Sequence, residues 1–276
     1  MSRRWRVLVV GAGSPNADLM AAVLSSHGIE ARWTDRVRTP DPFLIRRFDV
    51  VYGIYLQTCS RYLLVAKMLG RRTVLHFVGS DAYWLARERS IWRQVYWKLT
   101  LALTDVILYV SPHLEKLTGH KGIVLPFPIE TEEFKRPELL EVSPERDILY
   151  YCPSGPANER IYRLSWIIDY AKAHPEETIT MIGNIAHPAN YDVRLPNVQV
   201  VPYVERSEMP IFYRKHRRLI RMTSEDGLPR MIHEALLCGL SVTFNGEEVK
   251  EIPKERQTST FFSAFVQILE TLNRKK

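Results

Sequence analysis

Three cysteines in 276 residues, Cys59, Cys152 and Cys238, are too few and too scattered for a disulfide framework. Each lies in apolar sequence, so they read as reduced core residues of a cytosolic protein. No Cys/His cluster has the spacing of a structural zinc site, and no D-x-D pair of carboxylates marks a Mg²⁺ site. No run of about 18 apolar residues occurs, which excludes a membrane-spanning helix. The start of the chain enters a strand at residues 7–10 without the layout of a signal peptide, and a cytoplasmic location is the expectation. The G-x-G-x-x-G dinucleotide fingerprint is missing. So are low-complexity segments and any recognisable nucleic-acid-binding module.

What is present is an uneven charge and a repeated α/β pattern. The net charge is +7. Residues 1–128 hold 18 Lys and Arg against 9 Asp and Glu, while the remainder hold 20 against 22, so the first part is +9 and the second −2. A basic half admits an anionic partner such as a phospholipid surface or a polyanionic acceptor. A solvated Arg-rich surface explains it equally well.

Strands are expected at 7–10, 30–34, 49–52, 72–78, 105–110 and 123–125, alternating with helices. An acidic, Pro-containing connector at 129–145 precedes a second series: strands at 147–152, 178–182, 198–201, 219–223 and 240–244, and helices at 160–172 and 208–215. An apolar-striped helix at 259–272 closes the chain. Alternation of this kind implies parallel sheets with both faces covered.

Candidate sites follow from the rule that open α/β sheets bind ligands at the carboxyl ends of their strands. The first strand ends in Gly11-Ala12-Gly13-Ser14, a loop suited to close backbone approach. Strand 72–78 carries His76 and ends in Gly79-Ser80-Asp81. His76 is a site candidate or a core histidine, and Asp81 a site candidate or a helix cap. Residues 82–103 read as one helix rich in Trp and Arg. Such a mix can lie on an anionic membrane, but packing of its aromatics into the core is the favoured reading.

Residues 224–239, S-E-D-G-L-P-R-M-I-H-E-A-L-L-C-G, read as a tight loop opening a helix. Gly227 allows the turn, Pro229 suits the first helical turn, and Gly239 a stop. Leu228, Met231, Ile232, Ala235 and Leu236 form one apolar stripe; Arg230, His233, Glu234 and Leu237 lie off it. Free N–H groups at the helix start can hold an anion, and Glu234, one turn in, can accept hydrogen bonds from sugar or ribose hydroxyls. On this reading Glu234→Ala leaves the fold intact.

Several stretches together resemble the large retaining family of GT-B glycosyltransferases with the E-x7-E signature. L-T-D-V-I-L-Y-V-S (103–111), V-L-P-F-P-I-E-T-E-E-F (124–134), N-V-Q-V-V-P-Y-V-E-R-S-E-M-P-I-F-Y (197–213) and residues 224–239 follow the family's motifs in its order, and G-S-D (79–81) resembles a first-domain motif. The resemblance implies two Rossmann-like domains facing across a cleft: an acceptor-side domain at 1–128, a nucleotide-sugar domain at 129–257, and a helix at 258–276 packing back toward the first. It implies transfer of a hexosyl group from a nucleoside diphosphate sugar to an acceptor hydroxyl on a glycan, lipid-linked or small molecule, without metal or other cofactor. The donor would meet Ser154, Gly155, Arg160, Arg163, Gly183, Val204, Gly227, Leu228, Pro229, Arg230 and Glu234. The acceptor side would comprise Gly11, Gly13, Ser14, Gly79 and Ser80, and catalysis would involve His76, Asp81 and Asp226.

The chain departs from the pattern in four places. Asp226 makes the signature D-x7-E. Phe127-Pro128 replaces an Asn-Gly at the domain crossover, and Pro202 replaces a usual Gly. The family's Arg…Lys pair is represented by Arg160 and Arg163. These departures keep a second reading open, a degenerate relative acting as an interaction module. A hydrolase or an epimerase on the same fold is a third.

Overall fold

The structure, a computed structural model, describes the chain apart from residues 1–4, 12–14, 129–133, 135–141, 154, 184–194, 202, 226–228, 253–257 and 275–276. It divides into two compact units, Met1–Pro128 with Lys254–Lys276, and Ile129–Pro253.

The first unit holds six parallel strands, β1 (Arg6–Val10), β2 (Glu30–Thr34), β3 (Val50–Ile54), β4 (Arg72–Phe77), β5 (Val106–Tyr109) and β6 (Ile123–Val124), in the order β2-β1-β3-β4-β5-β6. β1 and β3 are almost wholly apolar and buried, as strands covered on both faces must be. The helices are α1 (Pro15–Ser26), α2 (Pro42–Arg46), α3 (Leu56–Met68), α4 (Ser80–Arg87), α5 (Ile91–Leu103) and α6 (Pro112–Thr118).

The second unit pairs β7 (Arg146–Tyr151), β8 (Ile179–Ile182), β9 (Val198–Val201), β10 (His216–Arg221), β11 (Ser241–Phe244) and β12 (Glu247–Val249) in the order β12-β11-β10-β7-β8-β9. All neighbours are parallel except β11 and β12. Its helices are α7 (Pro156–Ile161), α8 (Leu164–Ala173), α9 (Met209–Arg214) and α10 (Arg230–Leu237).

The last helix, α11 (Thr258–Arg274), belongs to the first unit. Phe261, Phe265, Ile268, Leu269 and Leu272 recur at helical spacing and enter that unit's core, Phe265 standing edge-on to Tyr52 at 5.5 Å.

Two segments read as single helices are each two. The break between α4 and α5 falls at residues 88–90, where the Glu88 carboxylate accepts from the Ser90 N–H at 2.9 Å and its carbonyl from Gln94 at 2.6 Å. Between α7 and α8, Arg163 takes a left-handed conformation, φ +47°, which no continuous helix allows. α7 therefore occupies part of what reads as a loop.

Candidate functional site

In the second unit the chain reverses direction across the sheet between β7 and β10, since β8 and β9 lie on one side of β7 and β10 to β12 on the other. Ligands of open α/β sheets bind outside the carboxyl ends of the strands at such a point. There the backbone is tied down by three hydrogen bonds. Thr223 N donates to Asn245 Oδ1 at 2.8 Å, Asn245 N to the Arg221 carbonyl at 2.9 Å, and Ser224 N to the Ile161 carbonyl at 3.0 Å.

Arg221, the last residue of β10, is 4% exposed, and its guanidinium packs against both rings of the edge-to-face pair Tyr151 and Tyr162, 4.3 and 4.4 Å from their centroids. A buried cation packed on two aromatic rings is positioned as well as stabilised. Sequence reasoning missed it, because an arginine in the middle of the expected strand 219–223 carries no mark of a site; only the tyrosine at the end of the neighbouring strand hints otherwise.

α10 follows β10 through residues 222–229. Pro229 is its N-cap rather than an internal residue, and Gly239, φ +86°, ends it as expected. The helix is buried over a wider arc than its apolar stripe. His233 has no exposed surface and Glu234 is 6% exposed, which corrects the placing of both off the buried face.

The Glu234 carboxylate is fully engaged. Oε1 accepts from Arg206 at 3.3 Å and Arg230 at 3.1 Å, and Oε2 from the Tyr213 hydroxyl at 3.0 Å. Burial, reinforced by the Glu234 charge, raises the Tyr213 phenol well above its ordinary value, so it remains a donor. Glu234 is thus an anchor for two arginines. Arg206 lies in a 3-10 turn at Arg206–Glu208, with its guanidinium 5.8 Å from the Phe134 ring. Neither Arg206 nor Tyr213 stands out in the sequence, since both lie more than 20 residues before their partner.

Arg160 and Arg163 are exposed at the end of α7 and before α8. Gly155 adopts φ +108° as the N-cap of α7. Gly183, φ +147°, has a packing reason for being glycine: a Cβ there would lie 2.3 Å from the Cys152 carbonyl oxygen. Val204 is half-buried and borders a separate cavity of about 370 Å³ with Thr180, Gln199 and His216. Ser154, Asp226, Gly227 and Leu228 lie outside the described residues.

In the first unit the two catalytic candidates are enclosed. His76 has no exposed surface; its Nδ1 is hydrogen-bonded to the Tyr52 hydroxyl and its ring packs 5.1 Å from Phe127. Burial pushes its pKa down to about 3, so it is a neutral core histidine. Asp81 is 1% exposed and its Oδ1 accepts from the Val78 and Gly79 N–H groups at 3.1 and 3.0 Å. Burial raises its pKa to about 6, against the lowering effect of those hydrogen bonds. It secures the turn into α4, where Gly79 adopts φ +148°. Both side chains are enclosed by the core of the first unit.

Gly11 is likewise a packing glycine; a Cβ there would approach Ala17 to 3.0 Å, where α1 crosses β1. Gly13 and Ser14 lie outside the described residues. Ser80 lines a cavity of about 960 Å³ beyond the carboxyl ends of β3 and β4, together with Tyr55, Arg61, Trp84, Arg93 and Tyr96. Tyr55, at φ +65°, holds a conformation L-residues seldom adopt, which marks the end of β3 as strained.

No family model matches the sequence, and no curated protein matches it either. Solved structures do match the fold. Anabaena Alr3699/HepE in complex with UDP-glucose is 15% identical with a TM-score of 0.59, covering 97% of this chain and 91% of its own. AviGT4, a glycosyltransferase involved in avilamycin A biosynthesis, is 14% identical with a TM-score of 0.64, covering 97% and 98%. The UDP-GlcNAc 2-epimerase of Methanocaldococcus jannaschii is 10% identical with a TM-score of 0.55, covering 96% and 99%. The fold is that of the GT-B glycosyltransferases, shared with an epimerase.

Proposed function

We propose that the chain transfers a sugar from a nucleoside diphosphate sugar to an acceptor hydroxyl, with the donor held by the second unit. The observation that carries this reading is the set of arginines bordering the carboxyl ends of β7 and β10. Arg221 ends β10, Arg230 opens α10 and is held by Glu234, and Arg160 and Arg163 flank the end of α7. A diphosphate leaving group gathers negative charge as its bond to the sugar breaks, and fixed cations with helix N–H groups stabilise that charge. Solved neighbours of this fold were crystallised with UDP or UDP-glucose.

In the proposed reaction the bond from the anomeric carbon to the diphosphate oxygen breaks and a bond to the acceptor oxygen forms on the same face. The departing phosphate takes the acceptor proton, so no strong enzymatic base is required. Gly227 and Leu228 keep the donor-side role and Asp226 the catalytic one that the resemblance implies, while Glu234 acts by holding Arg206 and Arg230. The leaving-group charge is assigned to side chains, and turnover is expected to survive EDTA.

Thermal-shift titration with UDP, GDP, ADP and CMP tests the donor site, since a ligand that binds only the folded state raises Tm. UDP is expected to raise it. Arg163→Ala is expected to weaken UDP roughly tenfold, the value of one charge-assisted hydrogen bond, and to leave uridine unchanged. Equal loss of both would remove Arg163 from the phosphate. No shift with any nucleotide would favour the interaction module. The epimerase reading has the shared fold behind it; product analysis separates a new glycoside from an epimerised nucleotide sugar.

A further inference from the structure

α5 is apolar on two opposite faces. One face, with Trp97, Thr100 and Leu101, is buried in the first unit's core. On the other, Trp92, Val95, Leu99 and Leu103 recur at i, i+3, i+7 and i+11 and stand open to solvent at 82, 54, 50 and 41% exposure. Ile91 extends this stripe at 63%, and Trp84 of α4, also exposed, shares the adjoining cavity with Arg93 and Tyr96 of α5. The packing of the described residues makes no use of these side chains, although single exposed apolar residues are ordinary and a continuous helical stripe is not.

The borders of the stripe are basic. Lys98 lies on one side of it, between the exposed and the buried faces; Arg93, exposed in the first turn of α5, follows Trp92 on the other side, and Arg87 and Arg89 precede the stripe. Glu88, the acidic residue of the segment, is paired with Arg93 at 3.4 Å. The unit as a whole carries the excess of positive charge. Trp and Leu on a helix face rimmed by Arg and Lys suit the boundary between acyl chains and anionic headgroups, with the helix lying in the surface plane. No described helix is long and apolar enough to cross a membrane.

We infer that the exposed face of α5, with Trp84, docks the first unit on an anionic lipid surface. A second copy of the chain is a poorer occupant, because it would bring two basic rims together. The inference stands apart from the proposed activity.

Co-sedimentation with vesicles of neutral phosphatidylcholine alone, and with about one third anionic phosphatidylglycerol, tests it on the full chain. Binding to the anionic vesicles is expected to be at least tenfold tighter than to the neutral ones. It should be lost in Trp92→Ser/Leu99→Ser and weakened about thirtyfold in Arg93→Gln/Lys98→Gln, on the order of one kcal/mol per basic residue. These side chains are exposed, so far-ultraviolet circular dichroism and Tm of the variants should match the wild type. Absence of binding to anionic vesicles by the folded wild type, or equal binding by the folded Trp92→Ser/Leu99→Ser variant, would overturn the inference. Concentration-dependent dimers in sedimentation velocity that vanish in that variant, with no vesicle binding, would assign the face to a second copy and overturn it as well.

Discussion

The two units share an α/β architecture built on a six-stranded, mainly parallel sheet, and treat charge in opposite ways. The first is strongly basic, yet its most enclosed ionisable side chains at the carboxyl ends of the strands, His76 and Asp81, are sealed structural groups, and its cations stand outside. The second is slightly acidic overall, yet it buries Arg221 against two tyrosines and gathers Arg206 and Arg230 around Glu234. Net charge therefore points to the wrong unit for anion chemistry at a pocket. It describes what a surface attracts, whereas a held cation is a property of packing.

The comparison breaks most sharply at Glu234. Removing a buried partner strands the groups that faced it, which costs about 3–5 kcal/mol. Glu234→Ala is expected to lower the unfolding free energy by about 3 kcal/mol in urea denaturation, with Glu234→Gln intermediate. A loss under about 0.5 kcal/mol, the scale of an ordinary surface substitution, would show that the cluster is loose.

Two glycines sharpen it further. Gly183→Ala places a Cβ against the Cys152 carbonyl at an unfavourable φ, and a loss of about 2–3 kcal/mol is expected. Gly11→Ala meets only the Ala17 methyl, at 3.0 Å with no left-handed φ, and should cost about 1 kcal/mol. Equal Tm shifts for the two would mean that the second unit absorbs the clash.

The acid response of the first unit is the subtlest test. His76, held near 3 against an ordinary value of about 6.5, binds protons mainly when unfolded, so its contribution to stability falls as the pH drops from about 6.5 toward 3. Asp81, held near 6 against an ordinary 3.8, binds protons mainly when folded, so its contribution falls as the pH rises from 3.8 through 6. Between pH 4 and 6 the two slopes oppose each other. Asp81→Asn keeps an acceptor for Val78 and Gly79 and removes one slope. Relative to wild type, the variant should lose up to about 1.4 kcal/mol more per unit of acidification in that window. Parallel curves of urea midpoint against pH for the two proteins would refute the assignment.

Much of the fold is legible in the sequence because apolar strand runs and turn residues are local. The run 198–201 is a strand to the residue, and α11 lies within two residues of its expected ends. β12 is missed because Glu247 and Glu248 read as loop. The site is less legible. Glu234 was placed on the open side of its helix because hydrophobicity marks only what is buried by apolar contact. Its cover comes from Tyr213 and Arg206, polar groups brought in by chain-distant elements. His76 reads equally as core or site until Tyr52 and Phe127 are seen around it. The Trp-rich helix reverses the favoured expectation in part: Trp97 is core, while Trp84 and Trp92 are not.

The double-faced α5 also bears on how the chain folds. A segment with apolar stripes on opposite sides can collapse onto the sheet either way round, with Trp92 or Trp97 innermost. Burial alone discriminates weakly between them. The choice falls to the details of packing against α3. The exposed stripe is therefore a source of local frustration as well as a surface.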